Sequence, residues 1–244
     1  MTVTSQKYTS DIMRRIAAPL RYDDEKDDGG RGMHPAQEEH YRTLGESLIK
    51  KFARRGIDAV YCATGDEART KALELMPAGS SVTWGGSVTL GQIGLIDAVR
   101  EGDYQVIDRA DRAPDEDSRA VIARQAMADY FLMSTNAFTR DGELVNIDAN
   151  GNRVCFLIAG PAHVLVIAGM QKLCDDVPGA IRRIHNQVAP PNCVRLGIQN
   201  PCTMTGLCGD CHSKTTICCQ EVVTRHSRTP HRITVILVGE PLGY

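Results

Sequence analysis

The chain lacks an apolar run long enough to cross a bilayer. Its most apolar stretch, VCFLIAGPAHVLVIAGM at residues 154–170, falls short of the ~20 residues a spanning helix needs, and Gly160, Pro161 and His163 interrupt it. Two buried elements are expected there instead. Residues 1–30, MTVTSQKYTSDIMRRIAAPLRYDDEKDDGG, show no apolar core or cleavage site of a signal peptide. An excess of positive charge is also missing: 28 Lys and Arg face 30 Asp and Glu, for a net charge of -2. Without clustered basic residues, nucleic acid is not an expected partner, and neither is a membrane. No period of 20 to 50 residues recurs, which excludes a solenoid. The glycine-containing stretch VTWGGSVTLGQIGL, residues 82–95, has neither the Lys-Ser/Thr pair of a P-loop nor a complete G-x-G-x-x-G.

Cysteine, in contrast, is plentiful. The chain has nine, an odd number, and Cys62, Cys155 and Cys174 sit in apolar sequence surroundings where a free thiol acts as a small hydrophobe. At 244 residues the chain can build a core without disulfide staples. This usage points to a reducing compartment and a cytoplasmic protein.

Residues 1–34 read as an N-terminal extension. A short amphipathic segment at residues 9–20 leads into RYDDEKDDGGRGMHP, which is charged, Gly-rich and too poor in large apolar groups to offset its ordering entropy. It is expected to be a flexible connector, the segment before it being a candidate dock for a partner or a second subunit, as in a homo-oligomer. Residues 35–244 alternate helix-like and strand-like pieces. PAQEEHYRTLGESLIKKFARRG spaces Tyr41, Leu44, Leu48 and Phe52 on one helical face, with Gly56 as a stop. IDAVYCA reads as a strand, GDEARTKALELMP as a helix, SSVTWG as a strand and SVTLGQIGLIDAVREG as one amphipathic helix. YQVIDR and ADYFLMST read as strands around the helix DEDSRAVIARQAM. This alternation predicts an α/β fold with a mainly parallel sheet covered on both faces.

Ligands in such sheets bind where strands end and helices begin. Gly85, Gly86 and Ser87 lie in that context and form a candidate anion site, the alternative being a tight turn with Ser87 as an ordinary N-cap. Trp84 beside them reads as core. In STNAFTRDGELVNIDANGNR, residues 134–153, Asp141-Gly142 signals a hairpin and DANGNR a second turn. The stretch holds more polar groups than turns require. Asn136, Asn146, Asn150, Asn152 and Arg153 could orient a polar anion, and Asp141, Glu143 and Asp148 are candidate acids or bases.

Five of the nine cysteines fall in NPCTMTGLCGDCHSKTTICC, residues 200–219. Cys202, Cys208 and Cys211 with Cys218 or Cys219 suit a four-cysteine zinc site or an iron–sulfur cluster, since soft thiolates select those metals. Free thiols or a redox-active Cys-x-x-Cys pair are the alternative. A zinc ribbon usually has two Cys-x2-Cys knuckles and this loop has one, Cys208 to Cys211, which tilts the expectation toward a [4Fe–4S] cluster. His212 and His226 read as surface groups beside it.

The blocks WGGSVTLGQIGLIDA, STNAFTRDGELVNIDANGNRV, VIAGMQKL, APPNCVRL, PCTMTGLCGDC and ILVGEPLGY, in this order, resemble the LUD-domain family of lactate-utilisation-type proteins, most of all its stand-alone, cysteine-containing branch. The resemblance runs from about Pro35 to the C-terminus. It implies a three-layer fold related to the sugar-phosphate isomerase and CoA-transferase superfamily, with a cleft near the glycine turn and the polar hairpin. It also implies Cys218 as the fourth ligand and Cys219 as an extra. The expected function is metabolic: action on a small anionic substrate, a 2-hydroxy acid among the candidates, with an iron–sulfur centre. The alternatives are a non-catalytic electron-transfer or assembly subunit of an oxidoreductase working with a redox partner protein, and a metabolite-binding regulator with structural zinc. Fold alone does not choose among them.

Overall fold

In the first helix of the described residues, α1 (Pro35–Ala53), the His34 side chain accepts from Ala36 N and proline occupies the first turn, where its missing N–H costs nothing. Leu48 and Phe52 are buried on its inner face and Gly56 closes it in a left-handed conformation. The structure is a computed structural model and describes residues 33–244. The amphipathic segment at residues 9–20 and nearly all of the expected connector lie outside the described residues.

The chain then runs β1 (Asp58–Cys62), α2 (Gly65–Glu74), β2 (Ser81–Trp84), α3 (Val88–Gln92), α4 (Leu95–Glu101), β3 (Gln105–Val106), α5 (Ser118–Ala126) and β4 (Tyr130–Met133). The hairpin strands β5 (Ala137–Thr139) and β6 (Leu144–Asp148) follow, then α6 (Val154–Ile158), β7 (His163–Gly169) and β8 (Leu173–Cys174). Helix α7 (Val177–Arg183) passes through a wider turn at Ile184–Val188 into α8 (Ala189–Arg195). The chain ends with α9 (Pro201–Thr205), β9 (Gln220–Thr224) and β10 (Ile233–Val238).

Six strands make a wholly parallel sheet in the order β1-β10-β7-β4-β2-β3. Because side chains alternate along a strand, Leu132, Leu165, Ile167 and Ile236 face one layer with Ala68, Leu90 and Leu95 of the helices α2, α3 and α4. Phe131, Met133, Val166 and Val235 face the other layer with Leu48 and Phe52 of α1 and Phe156 of α6. Both faces are therefore dry, as a parallel sheet requires, and each fully buried Phe contributes about 1.5–3 kcal/mol. Trp84 belongs to this core at 7% exposure.

One sequence expectation changes. The single helix expected over SVTLGQIGLIDAVREG breaks into α3 and α4 at Gly94, whose φ of 66° is left-handed. The polar hairpin does not extend the main sheet: β5 and β6 form a second, four-stranded sheet in the order β8-β5-β6-β9. Its Phe138 and Leu144 pack on the main sheet's core while Val145 and Ile147 pack on Ala180, Ile184 and Val188. The two C-terminal strands thus separate, β9 closing the small sheet and β10 entering the large one between β1 and β7. Residues 154–170 become α6 and β7, and among the described residues no helix is long and apolar enough to cross a membrane.

Candidate functional site

The neighbouring strands β2, β4 and β7 end at one edge of the main sheet, and the segments that follow them wall a cleft of about 310 Å³. The loop after β6 and residues around Cys218 complete it. Gly85, Gly86, Ser87, Asn136, Asp148, Asn150, Asn152 and Arg153 all line this cleft, so chemistry from the glycine turn and the hairpin converges. Ser87 caps α3 by accepting from Leu90 N at 3.3 Å.

Arg153 organises the wall rather than reaching into the cavity. Its Nη1 donates to Asn146 Oδ1 at 2.5 Å and to Ser134 O at 3.2 Å, and its Nη2 to Asn136 Oδ1 at 2.9 Å and Ile147 O at 3.0 Å. Its Nε faces Asp148 Oδ2 at 3.3 Å. Burial pulls the guanidinium down from its ordinary value and Asp148 offsets part of this. Asn136 Oδ1 also accepts from Ile147 N, and Asp148 Oδ1 from Gly151 N. The amides of the hairpin thus fix one another and the arginine in place.

Asp141 and Glu143 lie elsewhere. Asp141 is exposed and pairs with Lys51 at 3.1 Å; Glu143 faces Arg55 and Arg225, each at 3.4 Å. Neither lines the cleft, because the hairpin tip points toward α1. Of the expected acids and bases only Asp148 reaches the cavity.

Cleft groups that the sequence reading missed are Arg109, beside Gly86, and Lys172, which is 3% exposed. Lys172 Nζ donates to Ser134 Oγ at 2.9 Å and Thr89 Oγ1 at 3.2 Å. Burial, with Arg183 and Arg153 nearby, brings its ammonium down from 10.5 to about 7. The block VIAGMQKL contained this lysine, but an isolated Lys after a strand carries no spacing signal.

Cys202 is buried in α9, while Cys208, Cys211 and Cys218 are half-buried and Cys219 is exposed. Cys218 lines the cleft. Burial and the neighbouring Cys208, Cys193, Cys202 and Cys211 push its thiol up to about 12. Cys193 of α8, not expected at this site, is buried, takes a hydrogen bond from Asn200 Nδ2 and raises the Cys202 thiol further after burial itself. Cys208 Sγ is 3.5 Å from His185 Nδ1, whose Nε2 faces Glu221 at 3.1 Å. These thiols are near enough to influence one another, yet among the described residues no group of three or more His, Cys, Asp or Glu is gathered closely enough to hold a metal ion. His212 and His226 are exposed. Cys155 is exposed too, against the apolar setting its sequence neighbours suggested, because it faces away from the buried Phe156 and Leu157.

The chain is similar to a solved DUF162 family protein from Deinococcus radiodurans at 14% identity, over 82% of this chain and 98% of that one, with a TM-score of 0.47. No curated protein matches it. The model of the LUD domain matches residues 45–238, which span the glycine turn, the hairpin and the cysteine loop, and the chain belongs to the LUD domain family.

Proposed function

We propose that this chain is a metabolic protein of the lactate-utilisation type that binds a small anion, a 2-hydroxy acid being the leading candidate, beside a thiolate-held centre. The observation that carries the reading is the composition of one cavity: Arg109, Arg153 and Arg195 line it against one acidic side chain, Asp148, and Cys218 stands in the same wall. A positive, partly enclosed site concentrates anions. In this reading Arg109 and the backbone beside Gly85 and Gly86 receive the carboxylate, while Asn150 and Asn152 orient the rest of the molecule. Asp148, held by Arg153, remains an acceptor for a substrate hydroxyl.

The centre would be held by Cys202, Cys208, Cys211 and Cys218, as a [4Fe–4S] cluster or, alternatively, zinc. The donor set fits such a group in kind: thiols that hold one another in the protonated form through mutual repulsion of their thiolates lose that repulsion when a soft cation sits among them. When bound, a cluster supplies one-electron transfer. A reducing, cytoplasmic setting is proposed with it, since free thiolates must stay reduced.

A second reading, a non-catalytic subunit docking a redox partner protein, draws on Val194, Leu196, Met204 and Leu207, exposed large apolar groups on or beside the α8 and α9 that carry Cys193 and Cys202. Anaerobic purification followed by iron, sulfide and zinc analysis, with lactate binding by calorimetry, separates the readings. Iron with matching sulfide and lactate binding supports the first. Zinc without acid-labile sulfide overturns the cluster, and a loaded protein that binds no lactate overturns the small-anion reading in favour of the subunit.

A further inference from the structure

Three strands adjacent in the main sheet, β7, β4 and β2, each deliver one polar side chain just beyond their ends. Lys172 follows β7, Ser134 follows β4, and Thr89 lies in the first turn of α3 behind β2. All three line the cleft, at 3%, 9% and 1% exposure. Lys172 Nζ is 2.9 Å from Ser134 Oγ and 3.2 Å from Thr89 Oγ1, and the two hydroxyls are 3.4 Å apart.

The setting of the amine is unusual for a lysine. Its hydrogen-bond partners are hydroxyls, and the charged groups acting on it, Arg183 and Arg153, are cations, the latter paired with Asp148. A side chain at Gly243 would fall 2.5 Å from Thr89 Oγ1 and 3.1 Å from Lys172 Nζ, so the backbone there lies directly against the pair and shields it from water. Desolvation beside like charges favours the neutral amine, and a neutral amine is a base within hydrogen-bond reach of a hydroxyl. Nucleophile, base and an orienting third group is the general pattern of activated hydroxyls, of which serine with lysine is one form.

We propose that Ser134 and Lys172 form a nucleophile–base pair for acyl transfer, with Thr89 positioning the amine, and that the substrate class is an ester or thioester of a small carboxylic acid. This goes beyond the function proposed above and does not depend on the cysteine loop. Ser134 Oγ bonds to the acyl carbon as its proton passes to Lys172 Nζ. The tetrahedral adduct expels the alkoxide or thiolate, which takes that proton and leaves as alcohol or thiol. Water then gives a proton to the again neutral Lys172 and attacks the acyl-serine. The carboxylic acid departs, and the Ser134 oxygen recovers the proton from Nζ.

The test is covalent labelling of the full chain with an alkyl fluorophosphonate, in which the Ser134 Oγ–P bond forms and the P–F bond breaks, fluoride leaving with the serine proton. Intact mass and peptide mapping locate the adduct, and hydrolysis of p-nitrophenyl acetate gives a second readout. One adduct on Ser134, absent from Ser134→Ala and formed about 100-fold more slowly in Lys172→Arg, supports the pair; an arginine keeps the charge but does not act as a base, and a loss of this size is typical of a missing general base. Thr89→Val is expected to shift the pH midpoint of labelling, which Thr89→Ser restores. Wild-type protein that stays unlabelled, a label elsewhere, or unchanged labelling in Lys172→Arg overturns the proposal. Should Lys172→Arg lose its circular dichroism signature, Lys172→Met takes its place under the same criteria. Metal analysis of the cysteine loop is unaffected by either result, so failure here is distinct from failure of the cluster.

Discussion

Arg153 Nε lies 3.3 Å from Asp148 Oδ2, and the two side chains keep only 14% and 7% of their exposure. The pair ties the turn after β6 to the hairpin amides, and it stands where the glycine turn meets the cleft. Burial of such a pair is supported by hydrogen bonds to the remaining donors, and Arg153 directs its other groups at Ser134 O, Asn136, Asn146 and Ile147 O.

Arg153→Ala is therefore expected to destabilise the fold by about 3–5 kcal/mol, the cost of leaving a buried carboxylate and several acceptors without a partner. Urea unfolding measures this. A loss below about 0.5 kcal/mol, the size of an ordinary surface change, would show that the network is not structural.

Lys172 carries a pH signature. Its ammonium falls from 10.5 in the unfolded chain to about 7 in the fold, so between these values the unfolded state binds more protons and stability rises with pH. Below pH 7 both states are charged and the cost of burial is felt in full. Lys172→Met should be more stable than the wild type at pH 6, by about 1–4 kcal/mol, as seen when buried charges give way to apolar groups. Its stability should lose this rise above pH 7. Thermal melts from pH 6 to 10 would show parallel curves if the idea is wrong.

Gly142, in the hairpin turn, has φ of 79°, and a Cβ there would come within 3.0 Å of Phe52 N on α1. Gly142→Ala is expected to cost more than about 1 kcal/mol through strain and contact together. Denaturant midpoints provide the check.

Asp141→Asn should change stability by less than about 1 kcal/mol, because its pair with Lys51 is solvent-exposed. Anion binding in the cleft should be untouched. A marked loss of anion affinity in a calorimetric titration would mean that the hairpin tip communicates with the cavity.

Cys218→Ser should lower metal content after reconstitution with iron and sulfide, or with zinc, while Cys219→Ser keeps it, since Cys218 faces the cleft and its fellow thiols but Cys219 is exposed. Equal metal content in both variants would remove Cys218 from the ligand set.

Much of this was legible from the chain. Asp141-Gly142 announced its hairpin, Gly85 to Ser87 and the polar stretch ending at Arg153 each stood out as a candidate site, and the resemblance of the blocks from residue 35 onward to the LUD family implied a cleft between them. Local signals succeed here because turn geometry, capping and strand alternation depend on near neighbours. Asp141 and Glu143 failed to reach the cavity because a carboxylate's side of a hairpin depends on which sheet receives it. Lys172 and Arg109 escaped notice because each is a single charged residue whose meaning comes from burial and distant partners.

By itself, then, the sequence determined the alternation of helix and strand, the dry parallel sheet, the glycine turn and the clustering of thiols, all properties of composition and short-range spacing. Only the tertiary structure decided that β10 runs between β1 and β7 of the main sheet while β9 joins a second sheet, that Cys193 stands beside the loop cysteines, and that Ser134, Thr89 and Lys172 meet. Those residues are separated by tens of positions and brought together by the parallel order of β7, β4 and β2. The reason is physical: strand order is set by which apolar faces bury one another, and that choice is not written in any local stretch of chain.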